Sequence, residues 1–166
     1  MSYTIEEYDI NGSNPSLENE LLVLWAKFCM KSNPLPIFEG RKTVSKKFSL
    51  AFKYFESNFR GNKCFRVKEH EAFAVFGSGQ EWLDSPVSSL AGKKTAVLIM
   101  AASLNPSPKH AWHMVYCIQE CFSLLRKQGY EMVAWNINRQ SKKEPFLRMI
   151  NRFGAKTTEN CHVVEL

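Results

Sequence analysis

The segment Thr95-Ala-Val-Leu-Ile-Met-Ala-Ala-Ser103 runs nine residues without a charge. It is far short of the roughly 20 residues that cross a bilayer, and its flanks, Lys93, Lys94 and Asn105, are polar. A nearly continuous apolar run of this length reads as a strand covered on both faces, in a sheet sandwiched by helices. Ser107-Pro108 then opens a helix, with a hydroxyl N-cap followed by proline at the first helical position, and Gly129 stops it. The half of this helix holding Ala111, Met114, Cys117, Ile118, Cys121, Phe122 and Leu125 is apolar, whereas Trp112, Tyr116, Glu120 and Lys127 fall on the other half. Tyr130 to Ile137 reads as the next strand.

The remaining elements follow from the same periodicities. Tyr3 to Tyr8 alternates and ends before Asn11-Gly12, a short first strand. Ser16 is the expected N-cap of a helix carrying Leu17, Leu21, Leu24, Trp25 and Phe28, broken by Asn33-Pro-Leu-Pro. A second helix from about Ser45 sets Phe48, Ala51, Phe52, Phe55 and Phe59 on one inward face and stops at Gly61. Cys64 to Lys68 and Ala72 to Phe76 form a hairpin about the turn Glu69-His70-Glu71. Ser141-Lys-Lys-Glu144 is a capping box for a last helix ending at Gly154, with Phe146, Ile150 and Phe153 inward, and Cys161 to Val164 is a closing strand. The expected order is β-α-α-β-β-β-α-β-α-β, one α/β domain over residues 1–166, at a length that suits a single core.

Composition narrows the surroundings. A net charge of +6 is compatible with nucleic acid, an acidic protein or an anionic cofactor, and does not choose among them. The start Met-Ser-Tyr-Thr-Ile-Glu-Glu has no basic or apolar signal, so a cytoplasmic location is expected. Five cysteines without a CxxC pair indicate buried thiols instead of disulfides or a zinc ribbon. His110, His113, Cys117 and Cys121 share one helix, but residues 11 apart are separated by about 16 Å of rise, so they do not surround one ion and no metal is expected.

The order of elements, and above all the stretch from Lys93 onward, resembles the GNAT superfamily of acyl-CoA-dependent N-acyltransferases. The resemblance is carried by the apolar strand, the helix stopped by Gly129, the strand Tyr-Glu-Met-Val-Ala-Trp-Asn-Ile-Asn138, and a closing helix ending in Arg152-Phe-Gly-Ala155. It implies a central mixed, mostly antiparallel sheet flanked by helices on both faces, splayed so that the acyl carrier enters between two strands. It further implies that acetyl-CoA phosphates are held by the loop and helix start after the apolar strand. Ser103, Ser107, Lys109, His110 and Ala111, with Asn138 of the closing motif, are therefore the candidate cofactor contacts. Backbone donors at a helix N-terminus suit an anion, and Lys109 adds charge.

This chain departs from the family pattern at three places. The loop Ser103-Leu-Asn-Pro-Ser-Pro-Lys-His110 has no glycine, and its two prolines each remove a backbone donor. Ile150 stands where the family often has the tyrosine that protonates the leaving thiolate, and residues 141–153 contain no tyrosine. The apolar strand has no carboxylate, which leaves Glu81 and Asp84, in a loop upstream, as the candidate general bases or as solvated loop acids. A degenerate site in a binding or assembly protein and an atypical acetyl-CoA-dependent N-acetyltransferase both remain open.

The first of these readings is joined by a similarity to small GNAT-like virion proteins of short-tailed bacteriophages, which would place the chain in a virion. Trp112 and Tyr116, on the polar half of their helix, are the candidate anchors for a protein partner. Two basic clusters, Lys42, Lys46, Lys47, Lys53 and Arg60, and Arg139, Lys142, Lys143, Arg148 and Arg152, keep nucleic acid as a further partner.

Overall fold

A computed structural model describes residues 4–32, 34–40, 42–78, 93–104, 108–136, 148, 151–157 and 161–166. The chain divides into two compact units, one of residues 1–75 and 100–110, the other of residues 76–99 and 111–166. Its strands order as β1-β2-β3-β4-β5-β7-β6 in one sheet, with β1 Ile5–Asp9, β2 Lys63–Val67, β3 Ala72–Ser78, β4 Thr95–Ser103, β5 Met132–Asn136, β6 Lys156–Thr157 and β7 Cys161–Glu165. The helices are α1 Pro15–Lys31, α2 Val44–Tyr54 and α3 Pro108–Lys127. Their order matches the sequence expectation, with the two-residue β6 added. Of the expected last helix, Arg148, Asn151 and Arg152 are helical and the rest lies outside the described residues.

In the first unit β1 pairs antiparallel with β2, from Ile5 opposite Val67 to Asp9 opposite Lys63. The start of α1 differs from the Ser16 cap expected. Pro15 occupies the first turn, Asn14 is the N-cap residue without a side-chain cap bond, and Glu18 does the capping from inside the helix. Its carboxylate accepts from the N–H groups of Gly12 and Asn14, and Arg60 Nη1 lies 3.0 Å away. Gly12, at φ +86°, allows the turn that delivers its N–H. Glu18 thus satisfies donors that the helix start leaves open, in a site that is 5% exposed.

Trp25 organises the core of this unit. Its ring lies within 6.3 Å, centroid to centroid, of Phe28, Phe38, Tyr54, Phe59 and Phe73, and its Nε1–H donates to the Ala51 carbonyl of α2 at 3.0 Å. Helix α2 is capped by Thr43, which accepts from Lys46 N–H, and passes into one wide turn over Phe55–Phe59. The inward face expected for this helix is only partly inward. Ala51, Phe55 and Phe59 are buried, but Phe48 and Phe52 stand 46% and 44% exposed and Val44 67% exposed. Phe48 and Phe52 each lie further round the helix than Ala51 and Phe55, at its edge, and four phenylalanines cannot all share the narrow face that reaches Trp25.

In the second unit β4 runs parallel to β5, and β5 antiparallel to β7, which carries β6 on its other side. Lys94 joins the base of β4 to the chain arriving from α3. Its carbonyl accepts from Glu131 N–H at 2.8 Å, its N–H donates to the Glu131 carboxylate, and its Nζ donates to the Gln128 carbonyl and lies 4.4 Å from the Tyr130 ring centroid. Gly129, at φ +89°, ends the helix as expected.

Replacing Glu18 by Ala should cost about 2 kcal/mol, because it strands two backbone donors and one side of Arg60. Urea denaturation monitored by tryptophan fluorescence checks this through Trp25.

Candidate functional site

Strand β4 changes character along its length. Thr95, Ala96 and Val97 are buried, Leu98, Ile99 and Met100 are partly exposed, and Ala101 is exposed. The register with β5 explains the change within the second unit. It runs from Thr95 opposite Met132 to Val97 opposite Ala134 and ends there, although β4 continues to Ser103 and β5 to Asn136. Leu98 and Ile99 therefore lie outside the parallel ladder while still extended. The two-sided cover expected for the whole apolar run holds for its first three residues. Successive residues of an extended strand direct their N–H and C=O to opposite sides, so with β3 on the other side of β4 only every second residue beyond Val97 carries these groups on the β5 side.

Trp135, the first β5 residue beyond the ladder, is opposite His162 of β7, and their rings are 5.6 Å apart. His162 Nδ1 is hydrogen bonded to Thr157 Oγ1 of β6 at 2.9 Å. Both rings are buried, and desolvation holds the imidazole pKa below the ordinary histidine value, so the ring is neutral at pH 7. Only the β5–β7 register unites Trp135 and His162, because residues 27 apart carry no shared periodicity.

Ser103 closes β4, and its hydroxyl donates to the His70 carbonyl at 3.3 Å while Leu104 N–H donates to the Glu71 carbonyl. The charged turn expected between β2 and β3 is thus what the end of β4 rests on, with Glu71 in the left-handed region at φ 45°. Lys109, His110, Ala111, Trp112 and Tyr116 belong to α3, with their side chains outside the described residues. Glu81, Asp84, Ser107 and Asn138 lie outside the described residues altogether.

All five cysteines are buried thiols. Cys117 and Cys121 are buried along α3, as their apolar half implies. Desolvation pushes the Cys29 and Cys64 thiols up to about 12, which removes both as nucleophiles at neutral pH. No cluster of three metal-ligating side chains occurs among the described residues. A concavity of about 410 Å³ lies beside Lys93, Arg126, Tyr130, Glu131 and Glu165, at the base of β4 and away from the ladder's end. Its charges are mixed, and Lys93 already meets Glu165 at 3.6 Å.

No family model matches the chain, and no curated protein sequence does. Solved structures do match. An N-acetyltransferase from Staphylococcus aureus Mu50 is 14% identical, with a TM-score of 0.53 over 98% of each chain. An acetyltransferase of the GNAT family from Streptococcus pneumoniae is 7% identical, with a TM-score of 0.58 over 99% of each chain. The protein yncA from Salmonella typhimurium, solved with its cofactor acetyl-CoA, is 10% identical, with a TM-score of 0.56 over 100% of this chain and 95% of that one. At these identities the likeness is one of fold, and this chain has a GNAT-like fold.

The neutral, buried imidazole of His162 sets a sign for pH dependence. A depressed folded-state pKa means that its contribution is complete above the unfolded value near 6.5 and is lost as pH falls through the lower folded value. The urea midpoint should therefore drop on acidification below pH 6.5. The variant His162→Asn should be less stable at pH 7 and show a shallower drop, which parallel titrations of the two proteins will measure.

Proposed function

We propose that the chain binds an acyl-CoA, with acetyl-CoA the first ligand to test, along the part of β4 that β5 leaves unpaired. The observation that supports this reading is the ladder's end at Val97 and Ala134 while both strands continue. The backbone groups of residues 98 and 99 that face the β5 side would pair with an amide of the pantetheine arm, as a neighbouring strand would. Lys109, His110 and Ala111, at the start of α3, are the candidates for the phosphates on the resemblance to the acyltransferase family, since a helix N-terminus favours negative charge. Pro106 and Pro108 remove two of the donors that a glycine loop would supply, so binding is expected to be weaker than such a loop allows.

Transfer to an amine would join nitrogen to the acyl carbon and break the carbon–sulfur bond. In this chain the thiolate would take its proton from water or another group, since residues 141–153 contain no tyrosine. Glu81 and Asp84 are the candidates to receive the amine's proton. A second reading, favoured by the proline-rich loop, is that the ligand is held without transfer and the protein serves in an assembly, including a phage virion, through Trp112 and Tyr116.

Acetyl-CoA at 100 times its dissociation constant should stabilise the protein by about 2.7 kcal/mol, seen as a raised Tm. Lys109→Glu should weaken binding roughly tenfold through the phosphates without lowering the Tm of the ligand-free protein. No shift at millimolar acetyl-CoA overturns the binding reading. With binding established, a thiol-release assay over a panel of amines decides between transfer and holding.

A further inference from the structure

The outer edge of α2 is apolar and half-exposed although the helix is anchored in its unit. Val44, Phe48 and Phe52 succeed one another at intervals of four residues, so they form one stripe about 12 Å long. Ile37, on the single turn Pro36–Phe38 that packs against α2, is a further exposed apolar group at 46%. With roughly 150–250 Å² available per aromatic side chain, the half-exposed pair and the two aliphatic groups make a patch on the order of 300 Å², the size at which exposed apolar surface marks a contact site.

Charge accompanies this stripe. Residues 41–55 hold Arg41, Lys42, Lys46, Lys47 and Lys53 and no carboxylate. Around the helix the exposed surface passes from the phenylalanines across the small Ser45 and Ser49 to Lys46 and Lys53. The apolar groups are roughly half-exposed, as side chains that a yielding apolar medium could cover. Lysine stems spread beside such a stripe bring their ammonium groups to the level of headgroups.

We propose that the outer edge of α2 is a peripheral docking site for an anionic lipid surface, with Phe48 and Phe52 entering the interface and Lys46 and Lys53 facing the headgroups. The absence of any acid over 15 consecutive residues is the complement of a dense negative surface. No helix among the described residues is long and apolar enough to cross the membrane, so the contact is at the surface.

Flotation of the purified protein with vesicles of phosphatidylcholine alone, and with about three-tenths phosphatidylglycerol, tests this. Binding is expected only to the anionic vesicles, falling roughly tenfold or more between low and physiological salt. Lys46→Glu with Lys53→Glu, both on exposed positions that leave the core untouched, should lower it at least as much. Phe48→Ser with Phe52→Ser should also lower it, with the circular dichroism spectrum unchanged. The proposal fails if anionic vesicles do not bind, or if the phenylalanine pair has no effect while duplex DNA competes, since the face is then an electrostatic nucleic-acid site. It also fails if the phenylalanine variants convert an oligomer to a monomer, which would make the stripe a contact between copies. Acetyl-CoA binding by either double variant should be unchanged, so this test and that of the acyl-CoA reading fail independently.

Discussion

The short parallel ladder between β4 and β5 is the constraint on which the C-terminal part of the fold depends. Three register pairs, Thr95 to Val97 against Met132 to Ala134, tie β5 to β4, and β7 and β6 follow through β5. Three rungs are few, and Lys94 reinforces them with its carbonyl, its N–H and its ammonium group, all directed at residues 128–131. Because the strands are fastened at this end, they part beyond Val97 without the unit losing its joint. The same few hydrogen bonds hold β5 in place and set where its pairing with β4 ends.

The first unit shows a different economy, in which one side chain sets the demands on its neighbours. Trp25 needs a hydrogen-bond acceptor for its indole and aromatic surface around its ring, and Ala51, Phe59 and Phe73 meet these needs from three elements. A single small residue, Ala51, lets α2 approach the indole closely. That approach fixes the rotation of α2 about its axis, and the rotation leaves Phe48 and Phe52 at the outer edge, with Val44 exposed at the helix start. The apolar stripe outside is thus a consequence of the packing inside.

Element order was legible because each segment carries its own period and punctuation. Gly61 and Gly129 act through local backbone geometry, and their roles follow from neighbouring residues alone. Ser16 looked like a cap because hydroxyls at helix starts usually are, but Pro15 and the longer reach of Glu18 moved the boundary. Phe48 and Phe52 have the spacing and hydrophobicity of an inward face, while the space beside Trp25 admits only part of that face. The pairing of Trp135 with His162 and the ladder's end at Val97 have no counterpart in local sequence, since strand register is decided between segments far apart along the chain.

The sequence by itself determined the class of fold, the apolar strand at its centre, the helix that follows, and the missing glycine, tyrosine and carboxylate of the acyltransferase pattern. These are properties of composition and short-range spacing. Tertiary structure alone decided that the apolar strand is covered over three residues and open over the next four, that His162 is buried against Trp135, and that α2 turns two phenylalanines outward. Each of these depends on how distant segments share a limited interior, which no single segment encodes.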